Sequence, residues 1–147
     1  MNSPDNVIRV GTIEVRFRVQ AAQTAGGMTM FEFTVPAGSR VPVPHSHDAF
    51  DETIYGQHGV GTWTLDGQKV RIGAGDVLFI PRGHVHQFEN LDSDDARMLS
   101  VITPGLLGPE YFIEMAEVIN AGGPPDVERL KEIMRKHGLR PAPPPTP

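Results

Sequence analysis

The strongest constraint on the fold is a succession of short segments in which apolar and polar residues alternate. In segment 12–20, every second residue from Ile13 to Val19 is apolar, and the residues between them are charged or polar. A period of two over nine residues predicts a half-buried β-strand. Segment 28–35 predicts a second strand, which ends at Pro36-Ala37-Gly38.

Six further strand candidates follow, and each is bounded by Gly, Pro or Asp. They are 52–58, 61–65, 68–72, 76–80, 84–90 and 96–103. Asp66-Gly67 separates two of them and is suited to the positive φ angles of a type I′ hairpin turn. Strands at this spacing, with no helix between them, predict an all-β sandwich or barrel.

The pattern becomes helical after Pro104. Segments 109–120 and 125–137 have apolar residues at helical spacing, and two glycines followed by two prolines separate them. The residues that we expect the second helix to bury are Val127, Leu130, Ile133 and Met134. The Pro-rich tail predicts polyproline-like or disordered chain. We therefore expect one domain, in which a barrel at 1–104 carries packed helices at 105–140 and a tail at 141–147.

Composition excludes several classes of function. The net charge is −5, so the chain lacks the strong positive charge that favours nucleic-acid or anionic membrane surfaces. It contains no cysteine, which excludes disulfides, thiolate metal ligands and cysteine nucleophiles. No apolar run approaches the ~20 residues of a membrane span, and the N-terminal residues lack the pattern of a secretory signal. We therefore expect a cytoplasmic protein.

Four of the six histidines form two short clusters, His45-Ser46-His47 and His84-Val85-His86. Residues two apart in a strand project to the same face, so His45 and His47 can reach one ion. An isolated pair of this kind is more often a surface feature. Here, however, Gly38, Pro42 and Pro44 place the first pair after a turn, a carboxylate (Glu52) follows, and a second histidine cluster lies far along the chain. Imidazole and carboxylate together suit several divalent transition metals.

The segment from Gly75 to Asn90 resembles the second motif of the cupin superfamily. Its pattern is Gly, five residues, Pro-x-Gly, two residues, His, three residues and Asn, and Gly75, Pro81, Gly83, His86 and Asn90 match it. The first cupin motif is matched by His45, His47, Glu52 and Gly59. One departure is that six residues, rather than five, separate Gly38 from His45.

The resemblance implies a double-stranded β-helix, the jelly-roll-like cupin barrel, followed here by two C-terminal α-helices. It also implies a mononuclear centre within 38–90, in which His45, His47, Glu52 and His86 hold one divalent metal. The ion could be Fe, Mn, Ni, Zn, Co or Cu. Four ligands on rigid strands leave coordination positions open for a substrate.

Two residues near the predicted ligands, Asp51 and His84, are further candidates for the site. Asp51 is a rival to Glu52, but adjacent strand residues point to opposite faces, and Glu52 keeps the motif spacing to Gly59. His84 shares the parity of His86, so it either lines the same cavity, with a catalytic role beside Glu52, or lies in the turn and faces solvent.

The resemblance is closest to the group of small cupins that are similar to quercetin dioxygenase. It implies an oxygenase that acts on a small aromatic, flavonol-like or diketone substrate, with Glu52 available to accept a substrate proton. The alternatives are a metal-assisted isomerase or decarboxylase, and a non-catalytic module that binds or senses a small ligand. We also expect a homodimer, in which strand 12–20 covers a sheet edge of the neighbour.

Overall fold

The computed structural model describes residues 6–41 and 43–143. Two antiparallel sheets face each other, and their strands are numbered here along the chain. In spatial order, the first sheet contains β1 (Ile8–Val10), β2 (Ile13–Val19), β3 (Thr29–Val35), β10 (Ala96–Thr103), β5 (Asp51–His58) and β8 (Val77–Ile80). The second sheet contains β11 (Leu139–Pro141), β4 (His45–His47), β9 (His86–Glu89), β6 (Gly61–Leu65) and β7 (Gln68–Ile72). This is the all-β architecture that the alternating segments predicted.

Strict alternation in β3 explains how the first sheet forms a core face. Thr29, Phe31, Phe33 and Val35 are buried, and the residues between them are half-buried on the outer side. Phe33 contacts Phe88 of the second sheet, with their ring centroids 5.3 Å apart. Aromatic pairs of this kind add about 0.5–1.5 kcal/mol beyond the burial of their area. The two sheets are thus joined across the barrel by packed rings.

The hairpin between β6 and β7 has the turn that its sequence predicts. Asp66 and Gly67 have φ angles of 50° and 83°, as a type I′ turn requires. β6 pairs with β7 from Gly61–Ile72 to Leu65–Gln68 without a shift in register. The turn therefore sets the register of this edge of the second sheet.

Two α-helices close one side of the barrel: α1 (Pro109–Ile119) and α2 (Val127–Lys136). Pro109 begins α1, and Asp126 caps α2 by accepting a hydrogen bond from the Arg129 backbone N–H. Tyr111, Met115, Leu130, Ile133 and Met134 are buried in the same core as the barrel residues. None of the helices in the described part of the chain is long and apolar enough to cross a membrane.

The structure corrects two expectations about the C-terminal region. Val127 is exposed, because the whole first turn of α2 stands clear of the core and the helix is first buried at Leu130. Pro141 does not begin an unpaired tail but ends β11, where it pairs with His45. Ala142 continues this contact by donating its backbone N–H to the Pro44 carbonyl. Residues 144–147 of the predicted tail lie outside the described residues.

Candidate metal centre

Three histidines meet between the sheets because β4 and β9 pair side by side. His45 and His47 project from the same face of β4, and His45 is the register partner of His86 on β9. The ring centroid of His86 lies 4.6 Å from those of both His45 and His47. One ring nitrogen from each residue lies within 4.8 Å of the other two. The predicted cluster of His45, His47 and His86 is thus present, and all three side chains are buried.

Backbone carbonyls orient two of these imidazoles. The Nδ1 of His45 lies 3.0 Å from the Val43 carbonyl oxygen, and the Nδ1 of His86 lies 3.0 Å from that of His84. A carbonyl only accepts, so each Nδ1 carries the proton and each Nε2 presents a lone pair. Metal-binding histidines are commonly held in this way.

An unsatisfied atom at the centre indicates what the cluster can bind. The Nε2 of His86 is buried and has no hydrogen-bond partner in the described structure. Leaving a buried acceptor unpaired costs about 1–3 kcal/mol. A divalent ion would satisfy this lone pair, so the three imidazoles fit a transition metal on chemical grounds.

Glu52 comes from the opposite sheet and borders the cluster. Its Oε1 lies 3.9 Å from the Nε2 of His47 and 3.7 Å from the Nε2 of His86. Two donors that each lie about 2.1 Å from one ion are at most about 4.2 Å apart, so these separations suit a shared metal. The second oxygen, Oε2, accepts a hydrogen bond of 2.5 Å from the Ser100 hydroxyl. Ser100 therefore fixes one oxygen while the other faces the imidazoles.

The electrostatics of the cluster favour neutral imidazoles and an ionised carboxylate. Burial, together with the neighbouring histidines, lowers the pKa of His45 to about 3. Burial is also the main cause that lowers the pKa of His47 to about 4. Burial opposes ionisation of Glu52, but the imidazoles of His86 and His47 and the Ser100 hydroxyl outweigh it and lower its pKa to about 2. At neutral pH the site thus presents the protonation states that a divalent metal requires.

Asp51 faces away from the cluster, as its parity on β5 predicted. Its carboxylate accepts hydrogen bonds from the backbone N–H and the guanidinium of Arg82, at 2.9–3.2 Å. These bonds lower the pKa of Asp51 and occupy both of its oxygens. Among the two rival carboxylates, only Glu52 adjoins the histidines.

His84 does not line the cavity, and this alternative for its side chain is wrong. Its ring is exposed, and its Nδ1 lies 2.5 Å from the Asp66 carboxylate in the β6–β7 turn. Strand parity does not apply to His84, because β9 begins at His86 and His84 lies in the turn after Gly83. What His84 contributes to the site is its backbone carbonyl, which orients His86.

Other motif residues shape the loops that carry the ligands. Gly83 has a φ angle of 85°, and Gly59 has a φ angle of 67° beside the Asp95 carbonyl, where a Cβ would lie 2.1 Å from that oxygen. Asn90 donates to the backbone carbonyls of Val35 and Asp94 and does not touch the histidines. Asn90 thus ties the end of β9 to the backbone of neighbouring segments.

A cavity of about 310 Å³ opens beside the cluster, and its wall is mostly apolar. Ile54 and Phe88 line it, whereas Phe79 lies on the outer face of the first sheet and is exposed. The residues that sequence reasoning missed come largely from β1, β2 and α1. They include Val10, Ile13, Tyr111, Phe112 and Met115. The apolar face of segment 109–120 was visible in the sequence, but nothing there showed that it closes this cavity.

Comparison with known proteins gives the family. A model of the cupin domain matches residues 31–102. The quercetin 2,3-dioxygenase of Bacillus subtilis is 37% identical over 96 residues, which are 64% of this chain and 28% of that protein. An oxalate-binding protein of Thermotoga maritima is 38% identical over 68 residues, or 46% of this chain and 55% of that protein.

A solved structure supports the same assignment. It is described as a predicted oxalate decarboxylase from Thermotoga maritima, with 30% identity and a TM-score of 0.58. The match covers 63% of this chain and 80% of that one. The two-sheet barrel with its histidine cluster is that of a small cupin, and the predicted double-stranded β-helix is confirmed. The chain belongs to the cupin family.

Proposed function

We propose that this chain binds one divalent transition metal through His45, His47, His86 and Glu52 and acts as a dioxygenase-type oxidoreductase on a small aromatic or diketone substrate. The observation that carries the proposal is the position of the cluster at the wall of an apolar cavity. When bound, such an ion polarises a substrate oxygen and supports oxidation by dioxygen. Fe, Mn, Ni, Co, Cu and Zn are all compatible with three imidazoles and a carboxylate.

Glu52 supplies the acid–base chemistry in this proposal. Its carboxylate is ionised at neutral pH, and Oε1 faces the interior while Ser100 holds Oε2. An ionised carboxylate within reach of a substrate hydroxyl accepts its proton as the substrate oxygen becomes an anion. Because Ser100 fixes the carboxylate, Glu52 is positioned before the substrate arrives.

The cavity wall supplies binding and the exclusion of water. Phe31, Phe33, Trp63 and Phe88 contribute aromatic surface to it. Its volume of about 310 Å³ lies at the lower end of the range for pockets that hold small organic ligands. An aromatic substrate buries its rings against this wall, whereas a small dianion would leave most of it unfilled.

Oxygen consumption tests the proposal directly. The metal-free protein is reconstituted separately with Fe, Mn, Ni, Co and Cu and is mixed with quercetin, catechol or acetylacetone in an oxygen electrode. We expect metal-dependent uptake with at least one substrate, lost in Glu52→Gln and retained in the matched control Asp51→Asn. Metal-loaded protein that consumes no oxygen with any of these compounds contradicts the proposal.

A second candidate function is non-catalytic binding of a small ligand. The similarity to the oxalate-binding protein of Thermotoga maritima favours it. In this case the purified protein would retain a ligand, detectable by mass spectrometry of a denatured sample, and would turn over none of the substrates above. Unchanged oxygen with chemical conversion of a substrate would instead indicate a metal-assisted isomerase or decarboxylase.

The homodimer remains a proposal, but its contact surface differs from the one expected at strand 12–20. β2 lies between β1 and β3, so it has no free edge with which to cover a neighbour. β8 is the terminal strand of the first sheet, and the patch formed by Val77, Phe79 and Tyr55, here called the β8 patch, is exposed by 60%, 53% and 45%. An open edge strand can pair antiparallel with its own copy about a two-fold axis. We therefore place the dimer contact at the β8 patch.

The cytoplasmic location also stays a prediction.

A further inference from the structure

Tyr111 stands out among the cavity residues because it brings a polar group from outside the segment that matches the cupin model. It lies on α1, beyond residues 31–102, and it lines the cavity with only 6% of its surface exposed. Its ring contacts Phe112 and His137. Its hydroxyl has no hydrogen-bond partner among the described residues, so the hydroxyl is available to a ligand in the cavity.

Helix α1 is held firmly enough to position this hydroxyl. The Asn120 side chain, at its C-terminal end, accepts from the Gly11 backbone N–H and donates to the Arg9 carbonyl, which ties α1 to the β1–β2 hairpin. Near the middle of the helix, Glu114 pairs with both Lys136 and His137 of the α2 end. These contacts fix α1 on the barrel and hold the His137 ring that packs against Tyr111.

Packing on the barrel side completes the positioning. Phe112 contacts Phe17 and Phe31, with ring centroids 5.8 Å and 5.1 Å away. The Thr29 hydroxyl donates to the Leu107 carbonyl just before the helix. A side chain on a helix fixed at this many points can take part in precise ligand binding.

The electrostatic setting keeps the Tyr111 phenol protonated. Burial raises its pKa, and the negative charge of Glu52 raises it further. Tyr111 and Glu52 both line the cavity, and their polar groups differ in role. Tyr111 donates a hydrogen bond, whereas ionised Glu52 accepts one.

We propose that Tyr111 is a ligand-binding residue of the site, whose hydroxyl donates a hydrogen bond to one oxygen of an aromatic ligand while a neighbouring ligand oxygen faces Glu52 and the histidines. The inference deepens the proposed function and rests on its metal-binding cluster. The ligand class is an apolar ring system that carries two adjacent oxygens, one for each of these partners. In this arrangement the two C-terminal helices contribute chemistry to the site as well as packing.

The alternative is that Tyr111 only packs in the core. The substitution Tyr111→Phe distinguishes packing by the ring from hydrogen bonding by the hydroxyl. It keeps the ring and its contacts with Phe112 and His137 but removes the oxygen. The chain contains only two tyrosines, and the other, Tyr55, is exposed on the outer face of the first sheet. Tyr55→Phe is therefore a matched control that removes the same atom away from the cavity.

The test is an anaerobic absorbance titration of metal-loaded protein with 4-nitrocatechol, whose spectrum reports its binding. We expect Tyr111→Phe to raise the dissociation constant about ten-fold, as the loss of one good hydrogen bond implies, and Tyr55→Phe to leave it within about two-fold. Metal content and melting temperature should match those of the unsubstituted protein. Equal affinity of Tyr111→Phe and the unsubstituted protein, or no binding of 4-nitrocatechol at all, overturns the inference. The titration needs no oxygen. An absence of oxygenase activity would therefore contradict the proposed function without affecting this result.

Discussion

The Oε1 atom of Glu52 lies 3.7 Å from the Nε2 atom of His86, although the two residues belong to opposite sheets of the barrel. The two residues are far apart in sequence, and they meet only because the two sheets face each other across the barrel. An ionised carboxylate thus stands opposite a buried imidazole nitrogen that has no hydrogen bond of its own among the described residues. This pairing makes the cluster a candidate metal centre rather than a packed group of histidines.

Of the two neighbouring carboxylates, only Glu52 should affect metal binding when it is substituted. Glu52→Gln removes the charge beside His47 and His86, so we expect metal affinity to fall at least ten-fold. Asp51→Asn removes a charge that pairs with Arg82 on the outer side, so metal affinity should be unchanged. Competition with a chromogenic chelator measures both. A larger loss in Asp51→Asn than in Glu52→Gln would show that the wrong carboxylate has been assigned.

Ser100 should support the metal centre without touching the metal. Its hydroxyl donates to the Glu52 carboxylate and is completely buried, so Ser100→Ala leaves one carboxylate oxygen unpaired. We expect the pKa of Glu52 to rise and metal affinity to fall by about ten-fold. The exposed Ser93 provides a control, since Ser93→Ala should change neither. Chelator competition at several pH values checks both effects, and identical affinities for the two variants would contradict this role.

Acid should destabilise the metal-free protein in a defined pH window. His45 and His47 have folded-state pKa values of about 3 and about 4, below the ordinary value of 6.5. The unfolded chain therefore binds more protons below pH 6.5, and the free energy of unfolding falls as the pH decreases towards 4. Each histidine contributes up to about 1.4 kcal/mol per pH unit, which gives about 4 kcal/mol between pH 7.5 and pH 5.

Urea denaturation of the metal-free protein at these two pH values measures the loss. His47→Asn should reduce the pH dependence by about half, because one of the two buried imidazoles is gone. His58→Asn, at an exposed position, should leave it unchanged. A free energy of unfolding that is the same at pH 7.5 and pH 5 would show that the buried histidines do not resist protonation.

Charge in the β8 patch should separate the proposed dimer. Phe79→Glu places a carboxylate among Val77 and Tyr55, so we expect a dimer of the unsubstituted chain to become a monomer in light scattering at tens of micromolar. Leu91→Glu is a matched control, since Leu91 is equally exposed but lies outside β8. A monomeric unsubstituted protein, or a dimer that persists in Phe79→Glu, contradicts the placement.

Local periodicity was sufficient to predict most strands and the direction of His45 and His47, because side-chain direction within a strand depends only on parity. It also predicted that the side chains of Asp51 and Glu52 would point to opposite faces of the strand. The same rule failed for His84, which precedes its strand and lies in a turn where parity does not hold. Parity within a chain segment thus predicts a ligand only when the limits of the strand are known.

Two further features depended on tertiary structure that local patterns do not encode. The apolar run from Val77 to Ile80 has no polar residue to mark an outer face, so the exposure of Phe79 follows only from the position of β8 at the end of its sheet. Tyr111 belongs to a segment whose helical periodicity is visible in the sequence, but its place in the cavity wall depends on how α1 docks on β1. The pairing of β4 with β9 is a long-range contact that entered through the motif resemblance alone.

The central claim is that His45, His47, His86 and Glu52 form one metal centre, and elemental analysis of freshly purified protein tests it most directly. We predict about one equivalent of a divalent transition metal per chain in the unsubstituted protein and less than a tenth of that in His47→Ala. The exposed His58→Ala should keep the full equivalent. Protein that takes up no transition metal even after incubation with each candidate ion, or that holds equal metal in His47→Ala, would contradict the account.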